Sequence, residues 1–299
     1  MHRRTHAMRT PNTPFFEGLF TMNDTCLRAR DAFKSALHWV NFRHREVTRR
    51  NTTLRGRHRA ERCFILGTAP SIGEQDLLAL KSEHTIAVNF FHKHPQAAQL
   101  RPHYWVIQDK KLWEGGWAQE LIGPTGTWPS SMLKDIYTVS PQTELFLPVS
   151  GYDHSQLRAA TTGHDVHWIA NGWTFVPGFA GPVDLASAGL SGNVMQIAVG
   201  IAEYLGFEEI YLLGISLDGL LRDLSGRPSH FYSAPPENRH LEFTTIERDL
   251  IMSGLGFRSW RALAEYYSGT RIKVVNLTPD GYLDVLPRST LEEVLRGRR

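Results

Sequence analysis

The chain has 299 residues with ordinary hydrophobic and charged fractions, 41% and 21%, and a formal net charge of +3. This length can bury a large core, while the small net charge gives no argument for nucleic-acid binding. The two cysteines, Cys26 and Cys63, lack metal-ligand spacing and indicate no disulfide framework. The sequence also shows no signal-peptide core and no apolar stretch of transmembrane length. We therefore expect a cytoplasmic protein.

The first predicted element is a basic helix over Leu27 to Arg50, with apolar residues at helical spacing among many arginines. We assign residues 1–54 to a flexible N-terminus and this helix, and residues 55–299 to one α/β domain. Two interpretations stay open. The helix is either a solvated lead into the domain or a basic face that rests on an anionic inner membrane, where glycolipid or polysaccharide precursors lie.

A short apolar run follows, from Cys63 to Leu66, and stops at Gly67. The run predicts a buried strand, because it is too short for a helix. Pro70 cannot continue a strand, and Ser71 is a suitable N-cap for a helix over Ile72 to Leu80. Such a strand, glycine turn and helix start often hold phosphate, since backbone N–H groups and the positive end of the helix dipole face the anion. The alternative is a plain strand-to-helix connection.

The next two predicted strands, Thr85 to Asn89 and His103 to Asp109, each end in a polar residue. Open α/β sheets bind ligands at the carboxyl ends of their strands. We expect Asn89 to hydrogen-bond a base or ribose, and Asp109 a ribose hydroxyl or an acceptor sugar. The alternative is that each side chain only caps the next segment.

The region from Trp113 to Trp173 is rich in tryptophan, glycine and proline, with one predicted strand at Glu144 to Val149. Its tryptophans either stack on sugar rings at the mouth of a site or fill the core. The histidine pairs His92-x-His94 and His164-x-x-His167 are isolated, without a cysteine or a cluster of acidic residues beside them, so we expect no metal site.

Regular structure returns at Ser191-Gly192-Asn193, which begins a predicted helix over Val194 to Leu205 that ends at Gly206. The strand Glu209 to Ile215 completes a helix-to-strand unit of the parallel-sheet type. Because the Ser-Gly-Asn turn precedes a helix, it is a second candidate anion site.

A polar loop after this strand contains His230 and Tyr232. They suit a general base and a hydrogen-bond donor to phosphate, although a solvated loop histidine is the alternative. A long helix over Leu241 to Tyr267, broken near Gly254 to Gly256, a last strand at Ile272 to Asn276 and a closing helix at Pro287 to Leu295 complete the predicted fold. We predict an α/β fold with a Rossmann-like, mostly parallel sheet flanked by helices, behind the basic helical extension.

Several blocks of sequence resemble a known family. Phe64 to Ser71, Val88-Asn89, Tyr104 to Asp109, Ser191 to Val194, His230 to Tyr232 and Leu283 to Arg288 look like bacterial proteins that carry the domain of unknown function 115. That domain is also described as resembling an archaeal 6-hydroxymethylpterin diphosphokinase. The resemblance covers about residues 55 to 295.

The same ordered blocks are similar to the bacterial CMP-sialic acid-dependent sialyltransferases with a single Rossmann-like domain. That resemblance implies inverting transfer with no cofactor or metal, and His230 as the general base. Thr68-Ala69 stand where those enzymes have Asn-Gly, and Ser216 stands where they have aspartate, with Asp218 as a substitute. The positions that the resemblance implies for the donor are Gly67, Ser71, Asn89, Ser191 and Gly192. We add their neighbours Thr68, Pro70 and Asn193 as candidate substrate contacts, and also Asp109, which stands where those enzymes have asparagine.

The predicted function is therefore transfer of a sugar from a nucleotide donor, CMP-linked nonulosonic acid first, to a cell-surface glycan or glycolipid precursor. His230 takes the acceptor proton, Tyr232 stabilises the departing phosphate, and Asp218 is the second candidate base. Two alternatives stay open. One is pyrophosphate transfer from ATP with Mg²⁺, for which Asp109 and Asp218 are the carboxylate pair. The other is a non-catalytic nucleotide-binding scaffold in glycan assembly.

Overall fold

The computed structural model describes residues 25–26, 28–29, 32–33, 36, 40–108, 130–170, 173–174, 183–186, 190–232 and 243–297. Within these ranges the strands are β1 Arg62–Leu66, β2 His84–Val88, β3 Tyr104–Val106, β4 Glu144–Pro148, β5 Val166–Ile169, β6 Trp173–Thr174, β7 Leu190–Ser191, β8 Glu209–Leu213 and β9 Lys273–Asn276. The α-helices are α1 Phe42–Arg49, α2 Ala97–Leu100, α3 Ser130–Val139, α4 Ser155–Ala160, α5 Val194–Leu205, α6 Gly219–Leu224, α7 Phe243–Ser268 and α8 Leu291–Arg296. Short 3-10 turns lie at Arg50–Leu54, Pro70–Glu74, Leu77–Leu80, Asn89–Lys93 and Val149–Asp153.

Among the described residues, seven strands form one sheet in the order β5-β4-β3-β2-β1-β8-β9, and β6 pairs with β7 in a separate two-stranded sheet. Every pairing in the larger sheet is parallel, so the predicted Rossmann-like α/β fold is confirmed. The chain runs outward from β1 to β5 and then returns to place β8 on the other side of β1. The order therefore reverses between β1 and β8, which is where open α/β sheets bind ligands.

The central strand β1 is buried on both faces. Cys63 and Ile65 face one hydrophobic core cluster, which includes α5, and Phe64 and Leu66 face a second cluster on the other side of the sheet. This continuous apolar run is what a strand covered on both faces requires, because successive side chains alternate between the faces.

The predicted helix from Ile72 to Leu80 is wrong. Two 3-10 turns occupy this segment, and Gln75 separates them in an extended conformation (φ −95°, ψ 141°). The side chain of Asp76 accepts a hydrogen bond from the N–H of Leu78, and such local bonds compete with helix continuation. Ser71 is not an N-cap, since it lies inside the first turn. No long helix dipole therefore begins after the glycine turn.

The predicted helix from Leu27 to Arg50 is interrupted at Asn41, whose backbone is extended (φ −80°, ψ 97°) and whose side chain caps α1. The segment after Asn41 packs on the sheet. The side chain of Leu54 is fully buried in the core, and the Asn51 amide donates to the carbonyl oxygen of Trp168 at 2.9 Å. Upstream, Val40 is 83% exposed.

The second half agrees closely with its sequence pattern. Helix α5 spans the predicted residues and ends at Gly206 in the left-handed conformation (φ +99°). Helix α7 runs without a break through Gly254 and Gly256, so the predicted interruption is wrong. None of the described helices is long and apolar enough to cross a membrane.

Candidate active site

The turns after β1 and β8 touch at the point where the strand order reverses. A Cβ atom on Gly67 would lie 2.3 Å from the carbonyl oxygen of Gly214, so only glycine fits at position 67. The N–H of Gly67 donates to the carbonyl of Leu213 at 2.8 Å, and the N–H of Ala69 donates to that of Gly214 at 2.9 Å. Both amides are therefore already hydrogen-bonded to the end of β8 and to the residue that follows it. The glycine turn is therefore explained by close packing, and its role toward an anion stays a prediction.

The start of helix α5 lies beside the same turn. The sulfur of Met195 is 3.1 Å from the position that a Cβ atom on Gly67 would take. Asn193 is the N-cap and accepts a hydrogen bond from the N–H of Met195 at 2.8 Å, while Gln196 accepts from the N–H of Asn193 at 3.1 Å. The backbone of Ser191 lies in β7, immediately before Gly192 (φ +139°). The two predicted anion turns are thus neighbours, and the Asn193 amide oxygen is used as a helix cap.

His230 is bound to the glycine turn. Its Nδ1 lies 3.0 Å from the hydroxyl oxygen of Thr68, and the N–H of Phe231 donates to the carbonyl oxygen of Thr68 at 3.1 Å. Burial lowers the pKa of His230, and the negative charge of Asp223 partly opposes this shift. The imidazole is therefore neutral at pH 7, with Nδ1 held by Thr68 and Nε2 on the opposite side of the ring.

Tyr232 lies against His230, with the ring centroids 5.1 Å apart and the ring planes 1° from parallel. Burial raises the pKa of Tyr232 well above its ordinary value, so its hydroxyl keeps its proton. The ammonium nitrogen of Lys93 lies 5.1 Å from the centre of the Tyr232 ring and 5.0 Å from that of Phe90. A cation thus lies beside the Tyr232 ring, which stacks on the candidate base. Sequence reasoning missed Lys93, although its place in the turn directly after β2 is a usable signal.

Asn89 follows β2 in a left-handed conformation (φ +43°), which is uncommon for a residue with a side chain. Its carbonyl oxygen accepts a hydrogen bond from the indole of Trp105 at 2.9 Å. Its amide oxygen is buried and has no hydrogen-bond partner among the described residues, and the same holds for the hydroxyl of Ser71. Buried polar atoms without partners call for a physical explanation, and a ligand at this edge of the sheet would supply one.

Asp218 lies at the same edge but is engaged in an ion pair. Arg222 donates to it at 2.6 Å and also to Asp280 at 2.6 Å, so one guanidinium joins two carboxylates. The carboxylate predicted as the second candidate base is therefore already paired with a cation. Pro70 begins the first 3-10 turn after β1, next to Ser71.

The remaining predictions concern Asp109 and the tryptophan residues. Asp109 lies outside the described residues, as do Trp113, Trp117 and Trp128. Trp168 is 8% exposed and packs edge-on against Tyr152, so it belongs to the core rather than to a sugar-stacking surface.

No protein-family model matches the chain, and no curated protein matches it. Among solved structures, the chain is similar to that of the sialyltransferase CstII from Campylobacter jejuni in complex with a substrate analogue, cytidine-5'-monophosphate. The identity is 15%, the match covers 77% of this chain and 85% of that chain, and the TM-score is 0.34. A structure of sialyltransferase CST-II in complex with trisaccharide acceptor and CMP is 17% identical, with coverage of 76% and 86% and a TM-score of 0.33. TM-scores this low carry no argument about substrate or mechanism. The resemblance to the domain of unknown function 115 stays a prediction.

Proposed function

We propose that the chain is an inverting glycosyltransferase that takes a sugar from a nucleotide donor, with a CMP-linked nonulosonic acid as the first candidate. The acceptor is a cell-surface glycan or glycolipid precursor. One observation carries the proposal: His230, a neutral half-buried imidazole, is hydrogen-bonded to Thr68 of the glycine turn where the strand order reverses. A candidate base and a candidate nucleotide-binding turn are thus one connected unit.

The donor would lie along the carboxyl edge of the sheet. The unpartnered amide oxygen of Asn89 is the candidate contact to the base or ribose, and the first turn of α5 offers its positive dipole end to the phosphate. Lys93, beside Tyr232, adds a positive charge near that phosphate. This charge stabilises an anion without a divalent metal ion.

The proposed reaction uses His230 in its neutral form and Tyr232 in its protonated form. His230 takes the proton from the acceptor hydroxyl as its oxygen attacks the anomeric carbon of the donor. The bond from that carbon to the phosphate oxygen breaks, and the configuration inverts. Tyr232 is protonated at pH 7, as an ordinary tyrosine is, and burial raises its pKa further, so its hydroxyl donates a hydrogen bond to the departing phosphate.

Thermal melts with CMP, UMP, GMP and ATP, each with EDTA or with Mg²⁺, test the donor class. CMP with EDTA is expected to raise the melting temperature. At about a hundred times the dissociation constant, a ligand adds roughly 2.7 kcal/mol to the free energy of unfolding. Stabilisation by ATP alone, and only with Mg²⁺, would instead favour pyrophosphate transfer. Stabilisation by CMP without release of CMP from any nucleotide sugar would favour the scaffold.

A cytoplasmic location at the inner membrane surface is part of the proposal, and α1 is the element concerned. Arg43 and Arg49 are exposed on it, and Phe42 is 66% exposed beside them. Arginines around an apolar side chain are suited to an anionic lipid surface.

Charge reversal at Arg43, Arg45 and Arg49 is expected to weaken sedimentation with anionic liposomes at low salt. Reversal of three arginines on other elements, Arg261, Arg271 and Arg296, is the matched control. Wild-type protein that stays in the supernatant with anionic liposomes would rule out the membrane contact.

A further inference from the structure

Three side chains with metal-binding atoms meet at the amino edge of the sheet. His58 and Glu61 precede β1, and His84 is the first residue of β2. One carboxylate oxygen of Glu61 lies 3.4 Å from Nδ1 of His58 and 2.5 Å from Nε2 of His84. The three donor atoms all lie within 4.8 Å of one another. No spacing motif in the sequence indicates this group, because His84 is distant from the other two residues along the chain.

The fold holds the two histidines in place through independent contacts. The N–H of His58 donates to the carbonyl of Leu205 at 2.7 Å, and its ring stacks on Phe207 with a centroid distance of 4.5 Å. His84 is fixed by the parallel register, in which it pairs with Cys63 of the central strand. Both positions are therefore set by the sheet and by the end of α5, and only Glu61 is free to adjust, with 46% of its side chain exposed.

We propose that His58, Glu61 and His84 bind a divalent transition-metal ion of the zinc type. Imidazole nitrogen and carboxylate oxygen are ligands that Zn²⁺ prefers, and tetrahedral ligands at about 2.1 Å from the metal lie about 3.4 Å apart. The distance between His58 and Glu61 already fits that spacing, at 3.4 Å. The contact between Glu61 and His84 needs to open by about 0.9 Å, and the exposed carboxylate permits this.

The surroundings of His58 suit a metal ligand. Its Nε2 lies 2.7 Å from the hydroxyl of Tyr104, which also accepts a hydrogen bond from Arg57 at 3.4 Å. With Tyr104 as the partner of Nε2, Nδ1 is the ring nitrogen that faces Glu61, and ligating histidines usually have such an outer partner on their other nitrogen.

Three protein ligands leave a fourth position, and an open groove of about 790 Å³ adjoins it, lined by His58, His84, His103 and Tyr104 among others. This is the coordination of zinc ions that keep a water molecule. The site is separate from the one around His230, since β1 and β2 span about 16 Å between the two edges of the sheet. The ion would tie the turn before β1 to the start of β2.

The experiment uses tag-free full-length protein, stripped with EDTA, dialysed, and then titrated with Zn²⁺, Co²⁺ or Mg²⁺. We expect one equivalent of zinc by elemental analysis after gel filtration and visible absorption bands of tetrahedral Co²⁺. A zinc concentration of about a hundred times the dissociation constant should raise the melting temperature by about 5 °C. Mg²⁺ should have no effect at the same concentration. Protein that retains no stoichiometric zinc and melts unchanged would overturn the proposal.

The variants His84→Ala and Glu61→Gln are expected to weaken zinc binding at least tenfold, and Glu61→Gln keeps the size of the side chain. His44→Ala is the matched control, because His44 also contacts one carboxylate, Asp153, at 2.7 Å. Equal loss in this control, or unchanged binding in the two variants, would place the metal elsewhere and refute the site. The shift caused by CMP should persist in His84→Ala, so the two proposals succeed or fail separately.

Discussion

At the scale of single residues, Thr68 links the glycine turn to the candidate base. Its hydroxyl oxygen lies 3.0 Å from Nδ1 of His230, and its carbonyl accepts a hydrogen bond from the N–H of Phe231. Thr68 also occupies a position at which the sequence differs from the sialyltransferase pattern. The hydroxyl group that threonine brings to this position contacts the imidazole and orients it.

Activity should depend on pH through His230. Because burial lowers its pKa, the neutral base is present at pH 7, and kcat/KM should fall on the acid side with a midpoint below about 6.5. His230→Ala should lose about 10² to 10⁴ in rate while the CMP-induced rise in melting temperature persists. The pH profile of CMP release is the measurement.

The variant Asp223→Asn tests whether His230 is the group that causes the acid limb of the pH profile. Asp223 raises the pKa of His230, so its removal should move the acid limb to lower pH without abolishing turnover. Equal turnover by wild type and His230→Ala would remove His230 from the mechanism. An acid limb that stays in place in Asp223→Asn would assign it to another group.

Two substitutions of Asn89 distinguish the loss of a ligand contact from a loss of folding stability. Its positive φ of +43° suits glycine and strains alanine, which costs about 1–2 kcal/mol in the left-handed region. Asn89→Gly and Asn89→Ala both remove the unpartnered amide oxygen, so both should bind CMP roughly tenfold more weakly. Only the alanine variant should unfold at lower denaturant concentration. Unchanged CMP affinity in the glycine variant would exclude Asn89 as a donor contact.

At the scale of elements, six of the seven strands of the larger sheet were predicted from the sequence, whereas β5, β6, β7 and several connections were not. Strands β1, β2, β4 and β8 follow from apolar runs bounded by glycine or polar residues, since a strand covered on both faces leaves that pattern. The sequence predicts a helix after Gly67, because Ser71 is a suitable N-cap. The side chain of Asp76 and the extended Gln75 instead divide it into two 3-10 turns. Local hydrogen bonds of this kind are not visible in apolar periodicity.

Substitution of Gly67 tests whether its role is close packing. A Cβ atom there would lie 2.3 Å from backbone oxygen, so Gly67→Ala should cost about 1–3 kcal/mol or more in the free energy of unfolding. Gly73→Ala is the matched control, since a Cβ atom at Gly73 would meet nothing within 4 Å. We expect that variant to be neutral or stabilised by about 0.4–1 kcal/mol. Urea denaturation compares them, and similar stabilities would disprove the packing role.

At the scale of the whole molecule, the two edges of the sheet carry different chemistry. The carboxyl edge brings together Gly67, Thr68, Asn89 and His230, whose convergence was predictable because parallel strands end at one edge. The contact between Thr68 and His230 was not predictable, since 162 positions separate them and only the tertiary fold joins them. The amino edge holds His58, Glu61 and His84, which no sequence motif links.

The charged network at the amino edge should make stability depend on acid pH through Glu144. It accepts hydrogen bonds from Arg57 and His167, each at 2.6 Å, and so joins the turn before β1 to β4 and β5. Burial alone raises its pKa, but the bonds from His167 and Arg57 outweigh burial and lower the pKa to about 2. A lowered folded-state pKa stabilises the protein above the unfolded value of about 4.5. This contribution is lost as the pH falls from about 4.5 toward 2.

Glu144→Gln should therefore unfold more easily than wild type by about 2–3 kcal/mol at pH 7, with the difference shrinking as the pH falls below about 4.5. Urea denaturation at several pH values between 7 and 3 measures this difference. Glu292→Gln is the control, because Glu292 is exposed and its pair with Arg296 at 2.9 Å contributes little. A difference between Glu144→Gln and wild type that stays constant down to pH 3 would show that packing, and not the charge of Glu144, accounts for the loss.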